Sequence, residues 1–194
     1  MGQPVVTRII VGVTGASGSI YALRLLEKLR RSPHAEIHLI VSRAAERTAY
    51  LECGKLAADF KQFAHHSYSV EDIGSRLASG SFMADAMVVA PCSIHTMSAI
   101  ATGVSSNLLV RAADVCLKER RKLILMVRES PFHLGHLRSM VALSEMGAII
   151  APPIPGFYNQ PQSVLDLVDG SVDRVLDLLQ LPAADARRWD GASK

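Results

Sequence analysis

The chain has 194 residues, 49% hydrophobic and 20% charged, which suits one globular domain with a sizeable core and excludes a disordered chain. A net charge of +3 and an aromatic content of 5% give no basis for nucleic-acid binding by a basic surface or a base-stacking platform. No apolar run reaches the roughly 18 residues that span a bilayer, and the N-terminus lacks the charged-then-apolar layout of a signal peptide. A cytoplasmic protein that meets no membrane is expected.

Residues 1–7 read as a loose tail. An apolar β-type run follows, Arg8–Val13, and ends abruptly in Thr14-Gly15-Ala16-Ser17-Gly18. Ile20, Leu23, Leu25, Leu26 and Leu29 then recur at helical spacing, which predicts a helix over 19–31 that Ser32-Pro33 stops. A strand, a tight glycine turn and a helix start aim backbone N–H groups at a phosphate. The helix dipole adds positive charge, and the glycines admit a ligand to the backbone. The turn therefore predicts a phosphate-bearing, nucleotide-type cofactor; a turn that serves packing alone is the other reading.

Glu36–Val41 is a second buried-type strand, followed at once by Ser42 and a helix over 43–52. The stretch 53–70 has room for one short strand within 60–68. Residues 71–82 are polar and glycine-bearing, a loop with at most one helical turn. Ala86–Ala90 is a short apolar strand ended by Pro91, and Ser93 is placed to cap a helix over 94–101 that Gly103 ends. A helix is expected over 105–120, a strand over 122–127, and a helix over 134–146 with Leu137, Val141 and Leu143 inward. The last strand is 148–151. Pro152-Pro153-Ile154-Pro155-Gly156 is a stiff exposed turn. Ser163–Leu181 is a long amphipathic helix with Val164, Val168, Val172, Val175 and Leu179 on its buried stripe. Trp189 is available to pin the polar end of the chain.

Strands that alternate with helices and are continuously apolar indicate a parallel sheet covered on both faces, a three-layer doubly wound α/β fold. One domain over 1–194, with tails at 1–7 and 183–194, accounts for the whole pattern. In such sheets ligands bind beyond the carboxyl ends of the strands. The residues just past each apolar run are Thr14–Gly18, Ser42, Pro91–Thr96, Arg128-Glu129-Ser130 and the proline turn leading to Phe157-Tyr158. Hydroxyls, an arginine and a carboxylate therefore gather along one edge.

Each of these residues has two readings. Ser17 suits a phosphate contact or a proton relay, and equally a plain N-cap. Ser93 and Thr96 either meet a ligand or only cap their helix. Glu52 sits late in a helix, where a carboxylate opposes the dipole, and is either functional or solvated. Arg128 and Glu129 either serve a ligand or pair with each other. His133 and His136 lie one helical turn apart, but no third ligand has suitable spacing, and His65-His66 is weaker still, so no metal is expected. Cys53, Cys92 and Cys116 form no C-x-x-C pair, which indicates neither a disulfide framework nor zinc. Cys92 has no identifiable partner histidine and reads as a small buried residue.

TGASG at Thr14–Gly18, ASGSF at Ala78–Phe82, PCS at Pro91–Ser93, RAADVCLKERRKLILMVRESP at Arg111–Pro131 and GFYNQPQS at Gly156–Ser163 together resemble flavin prenyltransferases of the UbiX type, from about Arg8 to Leu181. The resemblance implies a flavodoxin-like or Rossmann-like subunit that binds FMN and assembles into a homo-oligomer, typically a dodecamer. It implies that reduced FMN is alkylated at N5 and then C6 by dimethylallyl phosphate, and that the product, prenylated FMN, serves a UbiD-type decarboxylase of the ubiquinone or aromatic-acid type. By position, Gly15, Ala16, Ser17, Ser42, Ser93, Ile94, His95, Thr96 and Arg128 match the family's FMN contacts. Tyr158 and Arg174 match its dimethylallyl-phosphate residues. Glu52, Arg111, Lys118 and Glu129 match other charged residues that line the site, some from neighbouring subunits. The chain departs from the family in carrying His95 where lysine is frequent and in having no tryptophan near Ile73.

The implied chemistry suits these residue types. Dimethylallyl phosphate ionises to an allylic cation and phosphate, so the site must hold a dianion and keep water out. Arg128 and Arg174 are forked phosphate donors, Lys118 is a point charge, and Tyr158 donates one bond. Glu129 is the candidate general acid or base, and Ser17 the relay beside N5, with Glu52 as a further catalytic carboxylate. A dinucleotide reductase is the weaker reading, because Val41-Ser42-Arg43 offers no acidic ribose ligand. A flavin-dependent cysteine decarboxylase has the same expected fold but a different mid-chain signature from PCSIHT. A non-catalytic FMN-binding subunit of a decarboxylase uses the same binding residues and stays open.

Overall fold

In the computed structural model, residues 6–183 and 186 are described; of the tail expected over 1–7, residues 1–5 lie outside them, as does Trp189, and Thr7 belongs instead to the first strand, where its N–H donates to His34 O. Six strands form one parallel sheet in the order β3-β2-β1-β4-β5-β6. They are β1 (Thr7–Val13), β2 (Ala35–Val41), β3 (His66–Ser69), β4 (Ala86–Cys92), β5 (Lys122–Val127) and β6 (Ile149–Ile150). The helices are α1 (Ser19–Arg31), α2 (Arg43–Cys53), α3 (Ala57–Lys61), α4 (Ile94–Ala101), α5 (Leu108–Lys118), α6 (Leu134–Glu145) and α7 (Val164–Leu178). This is the doubly wound α/β sandwich expected from the alternating pattern.

Successive strand residues enter opposite cores, as the pleat requires. Ile9, Val11 and Val13 of β1 pack with α1 and α7, while Ile10 faces α4, α5 and α6. Gly12 faces the second core because Leu109 occupies the space: a Cβ there would stand 3.0 Å from Leu109 Cγ. The chain winds outward from β1 through β2 to β3, then crosses back to β4 beside β1. That reversal parts the loops at the carboxyl ends of β1 and β4 and opens a crevice between them.

Several boundaries differ from the sequence pattern for identifiable reasons. Pro91 does not end β4; the strand continues to Cys92, with a register shift between Val89 and Cys92, since proline removes one ladder donor without removing the extended backbone. The helix after β4 and α4 starts at Leu108 rather than 105, because the Asn107 side chain accepts from Val110 N–H at 3.0 Å and supplies the cap. The stretch 53–70 holds α3 as well as the short strand β3. Of the three α6 residues expected inward, Leu143 is buried and Leu137 and Val141 are 47% and 57% exposed. On α7, Val164 is 75% exposed at the first helical position, and the stripe begins at Val168. Periodicity marks an apolar stripe but not what covers it.

Candidate active site

The β1–α1 turn sits at the crevice, and α2 fixes its shape. Ala44, Thr48 and Glu52 lie four residues apart on one face of α2. A Cβ on Gly15 would approach Ala44 Cβ to 2.5 Å, so glycine is required there by close packing. The Thr48 hydroxyl donates to Gly15 O at 3.1 Å. Glu52 accepts from the backbone N–H of Gly18 at 3.0 and 3.1 Å and of Ser19 at 3.0 Å, and the Ser17 hydroxyl is near enough to stabilise its charge. Gly18 holds a left-handed conformation at φ 102°, which leads the chain into α1.

The phosphate-cradle expectation is therefore corrected at one point: the positive start of α1 already holds an anion, the chain's own Glu52 carboxylate. Burial raises the Glu52 pKa, but the donors from Ser17, Ser19 and Gly18 outweigh it and hold the carboxyl below the ordinary carboxylate range. The dipole that Glu52 opposes at the end of α2 is offset by the one it satisfies at the start of α1. Two other helix starts share this sheet edge. The Ser42 and Ser93 side chains cap α2 and α4, accepting from Ala45 N–H at 3.1 Å and Thr96 N–H at 3.3 Å.

A cleft of about 680 Å³ opens between these ends, lined by Gly15–Ser17, Ser93–His95, Val127–Ser130, Phe132 and Pro152–Ile154. Arg128 donates through Nε to Ser17 O at 3.1 Å and lies 5.9 Å from the Tyr21 ring centroid. Glu129 accepts from Ser130 N–H at 2.9 Å. Arg128 and Glu129 thus face separate partners at the cleft. Its lining combines hydroxyls, backbone N–H groups and a guanidinium with the apolar side chains of Ile94, Phe132, Pro152, Pro153 and Ile154. A flat apolar ring system with an anionic tail matches that mixture, and the volume is in the usual range for a small-molecule site.

Gly15, Ala16, Ser17, Ser93, Ile94, His95, Arg128 and Glu129 are brought together here. Ser42 sits at the same edge, its N–H on Val13 O, but outside the cleft lining. Thr96 is buried beneath Ser93, whose hydroxyl donates to it at 3.1 Å. Glu52 stands behind the turn. Tyr158 and Arg174 line a neighbouring cleft of about 500 Å³ that shares the Pro152–Ile154 wall. Arg111 and Lys118 are not part of this chain's cleft. Arg111 bonds Ala78 O and Asp114, and Lys118, paired with Glu119, lies near the amino end of β5, the opposite edge of the sheet. The sequence reading missed Thr14, 2% exposed, whose hydroxyl donates to Pro91 O at 2.7 Å and accepts from Ser93 N–H at 2.8 Å. It ties the two parted strand ends together; a lone threonine at the end of a buried strand was the only signal for it. Burial pushes the Cys92 thiol far up, which fits the inert reading of that residue.

This fold and cleft define a flavoprotein-type mononucleotide site, and the family model described as Flavoprotein matches residues 3–176. The flavin prenyltransferase UbiX of Thauera aromatica is 48% identical over 184 residues, covering 95% of this chain and 94% of that protein. The crystal structure of AnUbiX (PadA1) in complex with FMN and dimethylallyl pyrophosphate superposes with a TM-score of 0.93 at 42% identity, covering 96% and 98%. A dodecameric FMN-dependent UbiX-like decarboxylase from Escherichia coli O157:H7 also has a TM-score of 0.93, at 45% identity, covering 95% and 100%. The chain belongs to the UbiX-type flavin prenyltransferase family.

Proposed function

We propose that this chain is a single-domain flavin prenyltransferase that moves a dimethylallyl group from dimethylallyl phosphate to N5 and then C6 of reduced FMN. The observation that carries the reading is the cleft at the β1/β4 reversal, where Ser17, Ser93, Arg128 and Glu129 share the lining with apolar side chains in a chain 48% identical to curated flavin prenyltransferases. Gly15–Ser17, Ser42, Ser93–Thr96 and Arg128 would hold FMN, and the reduced flavin would supply the two nucleophilic ring atoms.

The remaining steps fall to the chain's own side chains. Arg128 anchors the Ser17 carbonyl and so fixes the turn against the cleft. The Ser17 hydroxyl, close to the Glu52 carboxylate, faces the cleft as a proton relay. Glu52 is stabilised in its charged form, so it orients Ser17 better than it stores a proton. Glu129, exposed at the cleft, is the group suited to give or take the proton that moves after phosphate departure. Tyr158 and Arg174 would hold the substrate phosphate beyond the shared Pro152–Ile154 wall. Arg111 and Lys118 can serve such a site only from another copy of the chain. The exposed stripe of Leu134, Leu137 and Val141 on α6 supports assembly into a homo-oligomer, with the E. coli dodecamer as its pattern. A UbiD-type decarboxylase is the proposed user of the product, in the cytoplasm. Among the described residues no helix is long and apolar enough to cross a membrane.

Anaerobic incubation with reduced FMN and either dimethylallyl phosphate or the diphosphate, then mass spectrometry of the released flavin, tests the reading. A five-carbon mass gain is expected with the monophosphate. FMN binding without any mass gain would leave a non-catalytic FMN subunit and refute the transferase.

A further inference from the structure

Away from the cleft, on the sheet margin formed by β2 and β3, three ligand-type side chains converge from positions that are remote in sequence. Glu36 and His38 alternate on β2 and share one face, and parallel pairing sets His66 of β3 directly beside His38. Glu36 Oε1 lies 3.1 Å from His38 Nε2 and 3.3 Å from His66 Nε2. All three ligand atoms fall within 4.8 Å of one another. A tetrahedral ion with bonds of about 2.0–2.2 Å holds its ligands about 3.3–3.6 Å apart, so two of the three separations are close to that spacing. Closing the third takes a rotation of His66 out of its stack on the His38 ring, where the centroids are 4.8 Å apart; its side chain, 42% exposed, has room for that turn.

The surroundings are arranged as they are around metal-bound imidazoles. His38 is fully buried and cannot turn away. Its second ring nitrogen, Nδ1, lies 3.0 Å from Tyr68 Oη, and Arg76 Nε donates to the same oxygen at 3.0 Å. A phenol oxygen can accept both bonds, so with an ion bound Nδ1 would be the protonated nitrogen and Nε2 the ligand, the usual outer-shell pattern. Arg8 Nε donates to Glu36 Oε2 at 3.1 Å, so the carboxylate offers one oxygen and not two. The same Arg8 and Arg76 bring positive charge beside the site, which sets its affinity below that of an all-anionic ligand set.

We propose that Glu36, His38 and His66 form a divalent transition-metal site of the zinc class that clips the edge strand β3 onto β2. Two imidazoles and a carboxylate suit zinc and its borderline neighbours over magnesium or calcium. Occupancy needs no change in the proton count of a neutral His38: its proton moves from Nε2 to Nδ1 while the Tyr68 hydroxyl turns from donor to acceptor. The clip acts on a four-residue edge strand with mostly exposed side chains, which pairs on one side only.

The test uses FMN-loaded, chelator-treated protein titrated with zinc chloride, read by equilibrium dialysis and by thermal unfolding. One zinc per chain is expected, with a Tm rise of about 5–10 °C once free zinc is a hundredfold above Kd. His66→Ala, at an exposed position where folding should survive, should weaken binding at least tenfold and remove the Tm rise; Glu36→Gln should do the same. His133→Ala/His136→Ala, which removes the tilted pair of close-packed rings at the start of α6, should leave both readouts unchanged. Wild-type zinc affinity in His66→Ala, zinc that tracks the His133/His136 pair, or the absence of zinc binding would each overturn the proposal.

Discussion

Replacing Glu52 separates a side chain that caps a helix from one that merely lies near it. The carboxylate accepts from Gly18 N–H and Ser19 N–H within 3.1 Å and is exposed, so full buried-charge magnitudes do not apply. Loss of a helix-start acceptor costs about 1 kcal/mol, and loss of the negative charge beside the dipole about 0.5 kcal/mol more. Glu52→Ala should therefore lower stability by about 1.5 kcal/mol, or a Tm drop of about 3–6 °C for a chain of this size. Glu52→Gln keeps an acceptor and should lose only about 1–2 °C, the charge part. The folded-state pKa lies below its unfolded value. The contribution is thus complete above the unfolded carboxylate pKa of about 4.3 and fades as pH falls through the folded value. Differential scanning fluorimetry from pH 7 downward should show the gap between wild type and Glu52→Gln closing in acid. A gap that stays constant into acid, or a Glu52→Ala protein as stable as wild type, would refute the capping argument.

Thr14→Val keeps the shape of a 2% exposed side chain but leaves the Pro91 carbonyl and Ser93 N–H without their partner. A loss of about 1–3 kcal/mol in urea unfolding is expected, with weaker FMN binding by fluorescence titration. Gly15→Ala should clash with Ala44 and cost about 1–3 kcal/mol, and Ala44→Gly in the same chain should restore most of the FMN affinity; no rescue would place the clash elsewhere. Glu129→Gln should retain FMN and lose prenyl transfer by about 10²-fold or more, so unchanged turnover would remove Glu129 from the mechanism. Arg174→Ala should raise the KM for dimethylallyl phosphate with FMN affinity unaltered, and an unaltered KM would count against its phosphate role.

The strands and most helix limits were legible because each is a local pattern. Val-, Ile- and Leu-rich runs bounded by glycine or proline identify buried parallel strands, and Ser42 and Ser93 announce their helices by position. The polar edge was legible for the same reason, since it is made of the few residues immediately past each strand's carboxyl end. Residues whose neighbours come from far along the chain were not legible. Arg111 and Lys118 sit in the most family-like block of the sequence, yet α5 runs antiparallel to the strands and carries Lys118 to the edge away from the cleft. Leu137 and Val141 obey helical spacing and still face outward. His38 and His66 looked unrelated until the β2–β3 register set them side by side.

The glycine turn shows how the two kinds of information combine. Its sequence suggests a helix start open to a phosphate, but Gly18 N–H and Ser19 N–H already hold a carboxylate. A periodicity of four in another helix fixes that arrangement. Ala44 requires Gly15 to be glycine, Thr48 holds the Gly15 carbonyl, and Glu52 closes the helix start and engages the Ser17 hydroxyl. One face of α2 thereby sets both the position of Ser17 at the cleft and the absence of a vacant positive terminus behind it. The polar groups left lining the cleft are those of the Ser17 turn, Arg128 and the serine-capped start of α4. The turn is thus a rigid wall whose polar groups are committed inward, except at the residues that face the cleft. A wall of that kind suits a site that must present one hydroxyl to a flavin while excluding water from the remainder of the backbone.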